Sequence, residues 1–226
     1  MHTYISLDKI FGLQDQVFDR IRHEYSDRYK FAADCIELVI NTRVTEGKLP
    51  SEIGQALRVV QSYQNDAFSA LICSLKLCLY GCIADSSMLL RIAVEDLAMM
   101  SYVVNTNSYR AAAHRPKRLK FGTIVKKIPS GKEIAALHGR LSDSACHTTP
   151  TRLKNNHFKI GGEWLPRPGV AYDPEGSRKT LGEIDRASLY MLRILRLFYS
   201  QNPTLVSDEF LTKVDKMNCK IDDLKV

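Results

Sequence analysis

Between residues 64 and 105, apolar side chains recur every three or four positions: Leu71, Leu75, Cys78, Leu79 and Cys82, then Met88, Leu89, Ile92, Leu97 and Met100. That interval is helical, and the stripe is too wide for a helix that meets a core on one side only. Asp85, Ser86 and Ser87 interrupt it and offer an N-cap, which predicts two long helices or one broken helix. Arg91 and Glu95 stand four apart, hence on one face of the second half. In a segment this apolar they are expected to be buried, and an unpaired buried charge costs several kcal/mol. They therefore need partners, and the polar segment from Arg140 to His147 offers them.

The flanking sequence supplies helices to cover such a centre. Leu7, Ile10, Phe11, Val17, Phe18 and Ile21 give an amphipathic pattern over 7–24, and a second helix is predicted over 28–43. Gly47 and Pro50 break the chain, and Ser51 restarts it. Pro129, Ser130 and Gly131 form a turn that opens a short helix through Ile134, Leu137 and Leu141. Between Thr148 and Gly182 eight prolines and glycines exclude a long helix, and HFKIGGEWL can close into a small hairpin around Gly161–Gly162. Helix returns over 181–201, stops at Pro203, and resumes over 207–224. The expected fold is all-α: a bundle of seven to eight helices with one long Pro/Gly-rich loop. It is read as one domain over 1–226, with N-terminal helices (1–50), a central bundle (51–147), the loop (148–180) and terminal helices (181–226).

A chain of 226 residues, 45% hydrophobic and 25% charged, can bury a sizeable core. Its formal charge of +7 is compatible with RNA or another polyanion. The densest positive cluster is His114, Arg115, Lys117, Arg118 and Lys120, followed by Lys126 and Lys127. It reads either as a solvated face or as a phosphate-contact patch, the latter with steep salt dependence. Of six cysteines none forms a CxxC pair or has a histidine at ligand spacing, so no metal site is expected, and Cys73, Cys78 and Cys82 read as small core residues. No glycine-rich nucleotide loop or nucleophile elbow occurs, and no cofactor is expected. The first residues lack the blocks of a signal peptide and no uncharged run is long enough to span a bilayer, which predicts a cytoplasmic protein without membrane insertion.

In GRLSDSACHTTP, Arg140 and His147 lie seven apart, close to two helical turns, and project from one face if the helix is continuous. A guanidinium binds phosphate with a planar fork, and an imidazole moves protons near neutral pH. Such a pair can cleave RNA without metal, the base taking a ribose 2′-OH proton while the cation stabilises the phosphorane. Alternatively, His147 satisfies Glu95, or caps a helix. His138 and His157 read as surface histidines, and Trp164 as a loop anchor.

Two features, LLRIAVED at 89–96 and HGRLSDSACHTTP at 138–150, resemble the HEPN-like superfamily. Within it they are similar to a helical branch in which an Arg-x3-Glu helix precedes an L-S-x-x-x-H segment, a Pro/Gly-containing loop and two terminal helices. The resemblance spans 65–201. It implies, on the ribonuclease pattern, a catalytic set of Arg140 and His147 with Glu95 or Asp96 as the earlier polar group, and a homodimer whose motifs share a cleft. It equally implies, on the non-catalytic pattern, a buried network of Arg91, Glu95 and His147 that holds the bundle of a binding or regulatory module.

Overall fold

The computed structural model describes residues 7–42, 50–109, 119–145, 157–160, 163–166 and 172–223. These form eight α-helices and one antiparallel strand pair: α1 (Leu7–Glu24), α2 (Ser26–Ile40), α3 (Ser51–Leu79), α4 (Ile83–Thr106), α5 (Phe121–Ile124), α6 (Gly131–Ala145), β1 (His157–Ile160), β2 (Glu163–Pro166), α7 (Pro174–Gln201) and α8 (Asp208–Asp223). A 3₁₀ turn, Val125–Lys127, continues α5. The fold is the all-α bundle that the periodicity predicts. The pairing of β1 with β2 runs from His157 opposite Pro166 to Ile160 opposite Glu163, with Gly161 and Gly162 between them in sequence.

The central stretch is two helices, but the break falls earlier than the Asp85–Ser87 cap predicts. Gly81 takes φ 78°, the left-handed conformation that costs a residue with a Cβ about 1–2 kcal/mol. Its amide donates to the Cys78 carbonyl at 3.0 Å, and the next amide, of Cys82, donates to the Leu77 carbonyl at 2.8 Å. Those are the two bonds of a Schellman motif, which closes α3 and turns the chain back into α4.

Ser86 and Ser87 consequently lie inside α4, and both are buried. Ser86 Oγ donates to the Ser74 carbonyl at 2.7 Å, while Ser74 Oγ reaches the Ser86 carbonyl at 2.9 Å. Two small side chains, each satisfied by the other helix, let α3 and α4 approach closely. This seam is the most extensive helix–helix contact in the protein. The polar run thus works as a spacer between helices, because burial made its hydroxyls more useful across the seam than at a terminus.

α4 also packs against α5, α6 and α7, and α7 packs against α2, α3, α4 and α8. Leu90, Ala93, Val94, Leu97, Ala98, Met100 and Val104 on α4 meet Leu181, Ile184, Met191, Leu195 and Phe198 on α7 in one core cluster. The phase of α4 differs from expectation at two positions: Met88 and Ile92 are 44% and 47% exposed. α7 begins seven residues before the predicted Leu181. Asp173 caps it by accepting from the Gly176 amide at 3.0 Å, and Pro174 occupies the first helical position, where its missing N–H is not needed. The loop assigned to 148–180 therefore ends before Asp173.

Cys35 and Cys78 are fully buried, as small core residues are, whereas Cys73 is exposed on α3. Among the described residues no helix is long and apolar enough to cross a membrane.

The serine seam makes a prediction about packing. Ser86→Ala keeps the close approach and removes one hydroxyl, so it should cost about 1 kcal/mol. Ser86→Val adds volume where none is free and should cost roughly 2–3 kcal/mol. Urea unfolding of both variants tests this, and equal losses would mean that the hydrogen bonds matter more than the spacing.

Candidate functional site

Arg91 and Glu95 project from α4 toward α6, and the imidazole that meets them is His138. His138 Nε2 lies 2.9 Å from Glu95 Oε1 and 3.1 Å from Arg91 Nε, and Arg91 Nε lies 3.3 Å from the same Glu95 oxygen. The expected partner, His147, lies outside the described residues, so the Arg91–Glu95–His147 network has no described counterpart. The reading of His138 as a surface histidine is corrected: its side chain is only 17% exposed. The signal was present in the sequence. His138 is four after Ile134 and three before Leu141, both core residues, which puts it beside the apolar stripe of α6.

One imidazole nitrogen either donates or accepts. With its proton on Nε2, Glu95 Oε1 accepts from both His138 and Arg91. With the proton on Nδ1, Nε2 accepts from Arg91 instead. Both arrangements commit Nε2 within the trio. The ring is also covered on one face by Phe121, whose centroid is 4.1 Å away at 24°.

The turn that carries Phe121 is held against the start of α6 by Gly131. A Cβ there would meet the Val125 carbonyl oxygen at 1.6 Å, a distance no side chain could occupy. Lys126 and Lys127 sit on this turn and Lys120 just before it, so the clamp positions the described part of the basic cluster. Lys127 Nζ lies 5.8 Å from the Tyr102 ring. Arg115, Lys117 and Arg118 lie outside the described residues.

The Arg91–Glu95 pair is less enclosed than the sequence suggested, with side chains 32% and 37% exposed. Arg140 has a different partner altogether. Its Nε donates to Glu183 Oε1 at 3.2 Å, and Glu183 is 5% exposed where Arg140 is 41%. Burial pushes the Glu183 carboxyl up, opposed by Arg140, Lys179 and Arg186.

A second buried carboxylate, Asp185, receives Arg28 Nη1 at 3.1 Å and ties α2 to α7. Its other oxygen, Oδ1, has no hydrogen-bond partner. Burial pushes its carboxyl up to about 7, against the lowering effects of Arg28 and Arg186. The Cys35 and Cys78 thiols lie within its field and are pushed upward, first by burial and then by Asp185. Thiols so raised remain protonated and unreactive.

Sequence reading missed both acids. Lys179, Arg186 and Arg193 recur every seven positions and define one exposed line, which leaves Asp185 on another face, whereas Glu183 falls beside the line and is buried beneath Arg140. Among the described residues no group of three or more His, Cys, Asp or Glu is placed to hold a metal ion. A groove of about 330 Å³ between α2 and α8 lies on other helices, and its Lys220 and Lys213 already pair with Asp34 at 3.3 Å and Glu209 at 2.7 Å.

Exposure ranks the two ion pairs. Glu95→Ala should cost only about 1 kcal/mol, because Arg91 can turn to water. Arg140→Ala should cost more, roughly 1–3 kcal/mol, because it removes the direct partner of the buried Glu183. Thermal unfolding of the two variants at one pH checks the order.

Asp185 predicts a pH dependence. Its folded pKa, near 7, lies above the ordinary value of 3.8, so the folded state holds the proton more tightly. The stability it contributes is full below pH 4 and declines as pH rises toward 7, by on the order of 3–4 kcal/mol. Subtracting the Asp185→Asn denaturation profile from that of the native protein should isolate this slope; parallel profiles would refute it. Comparison with protein-family models, curated proteins and solved structures found no match for this chain.

Proposed function

We propose that the protein is a non-catalytic helical binding or regulatory module, HEPN-like in its arrangement, that engages RNA or another polyanion. The observation carrying this reading is the mutual satisfaction of Arg91, Glu95 and His138, together with Arg140's engagement by Glu183. The carboxylate and imidazole that could move a proton are instead occupied in fastening α6 and the α5 turn to α4, while Arg140 is pinned to α7 through Glu183. That turn presents Lys120, Lys126 and Lys127, part of the cluster that also contains Arg115, Lys117 and Arg118. The chain's charge of +7 favours an anionic partner. A homodimer is part of the proposal. Exposed Met88 and Ile92 form a four-residue-spaced apolar step on α4, and Ile72 on α3 adds a third exposed aliphatic. Isolated surface apolar residues are ordinary, but a run on the central helix pair suits a subunit contact.

A second reading, a metal-independent ribonuclease of toxin or defence type, is favoured by one observation. Arg91 and Glu95 each keep about a third of their side chain in solvent, beside an imidazole. On the HEPN pattern the catalytic residues would be Arg140 and His147, with Glu95.

One set of assays separates the readings. Under the binding reading, a labelled RNA oligonucleotide binds without being cut, and affinity falls steeply with salt as phosphate counterions are released. Lys120, Lys126 and Lys127 changed together to alanine should weaken it about tenfold or more. Under the ribonuclease reading, cleavage persists in EDTA and leaves a 2′,3′-cyclic phosphate. His147→Ala then lowers the rate by roughly 10²–10⁴ while binding stays. Cleavage that is lost in His147→Ala would overturn the binding-module reading; cleavage undiminished in that variant would mark a contaminant.

A further inference from the structure

The outer edge of α7 is unusual for a helix at the centre of a bundle. Between Glu183 and Tyr199 its exposed residues are Arg186 and Arg193 alone. Lys179, one further step of seven back, is exposed too. Seven residues bring a helix nearly back to the same face, about 10.5 Å further along, so the three cations form a straight row roughly 21 Å long.

Neighbouring charges leave this row net positive, with exposed Glu175 four residues before Lys179 as the acid at its start. Arg140 joins it from α6 through Glu183, on which Lys179 and Arg186 also act. Three cations therefore gather around one carboxylate, and that carboxylate is buried beneath them. Arg193 is oriented by its Nε, which donates to Asn218 Oδ1 at 2.6 Å; a neutral amide leaves the charge uncancelled. Arg196 differs: Asp215 holds it through both oxygens, at 2.6 and 3.0 Å, which removes it from the row.

We propose that the row Lys179, Arg186 and Arg193, with Arg140 beside it, is a binding track for the sugar–phosphate backbone of a nucleic acid. The surroundings decide the occupant. An anionic membrane surface or an acidic protein would want apolar anchors among the charges. The exposed large hydrophobic residues of the described chain lie on α1, α2, α3 and α4, and α7 has none. A partner recognised by regularly placed charge alone is a phosphodiester chain, which is read by cations and carries its charges at intervals. The track is a different surface from the Lys120–Lys127 turn and does not depend on it.

All three row residues are exposed, so Lys179, Arg186 and Arg193 changed together to alanine should leave the fold intact, as thermal unfolding would verify. Fluorescence anisotropy with a labelled RNA oligonucleotide should then show affinity lowered tenfold or more. The dependence of log affinity on log salt should be shallower by about 2, from three contacts at roughly 0.7 each. The charge-preserving set Lys179→Arg, Arg186→Lys and Arg193→Lys should bind like the native protein. Native affinity and slope in the alanine variant would overturn the track. So would row-dependent binding of polyglutamate or phosphatidylserine vesicles by a protein that ignores RNA. The Lys120, Lys126 and Lys127 alanine variant runs alongside: a loss confined to it removes this inference and leaves the turn as the RNA site, a loss confined to the row variant places the RNA on the track, and a native protein that ignores RNA removes both.

Discussion

The close approach of α3 and α4 at Ser74 and Ser86 is the constraint on which the rest of the molecule depends. Once these helices touch through two serines, α4 is covered along one side for most of its length. Its remaining sides then have to be closed by α6 and α7, because Leu90, Val94, Leu97 and Met100 point where water would otherwise be. The helices that cover α4 differ in how firmly they hold. α7 buries aliphatic and aromatic residues through nearly its whole length, each contributing roughly 1.5–3 kcal/mol on removal from water. α1 buries Val17 and Ile21 while Phe11 and Leu13 stay exposed, so it contributes less apolar burial than α7.

Charged groups within this frame sort by depth. Arg28–Asp185 and Arg140–Glu183 each pair an arginine with an almost inaccessible carboxylate, and burial raises both acids despite the cations. A pair that leaves its acid so reluctant to ionise contributes little net stability; its effect is to tie α2 and α6 to α7. The Arg91–Glu95–His138 cluster works at the edge, where solvent weakens each contact but three groups share the task. What it secures is the α5 turn, through the stack of Phe121 on His138 and the close fit of Gly131 beneath Val125.

Periodicity made the bundle legible, because a stripe repeating every three or four residues has one physical explanation over a span this long. Arg91 and Glu95 were legible as a pair for the same reason. Their third partner was not, because choosing between His138 and His147 requires knowing where α6 passes α4, a fact of tertiary packing. The start of α7 was hidden by Pro174 and Gly176, which read as breakers until Asp173 caps the helix and places them in its first turn. Asp185 was overlooked although the seven-residue interval of the basic residues separates it from the wet face; Glu183 stands beside that face, so its burial under Arg140 was not legible. Exposure of Met88 and Ile92 was not legible, since their spacing matches the buried residues around them.

The binding and cleavage readings differ in what must stand beside Arg140. Either can use a guanidinium that is 41% exposed and pinned through Nε, since a fork so anchored still presents its outer face to a phosphate. Cleavage further requires a group that moves a proton within reach of the same phosphate. The acid that touches Arg140 is Glu183, and its oxygens lie beneath the guanidinium, 5% exposed, where a ribose hydroxyl has no access. His138 is turned toward α4, with Nε2 engaged by Arg91 and Glu95 and one ring face under Phe121. Lys179 and Arg186 add charge around Arg140, Glu183 holds its geometry, and Asp143 stands exposed three residues further along α6. Charge held in place suits retaining a polyanion, and cutting one would further need a proton donor or acceptor beside Arg140.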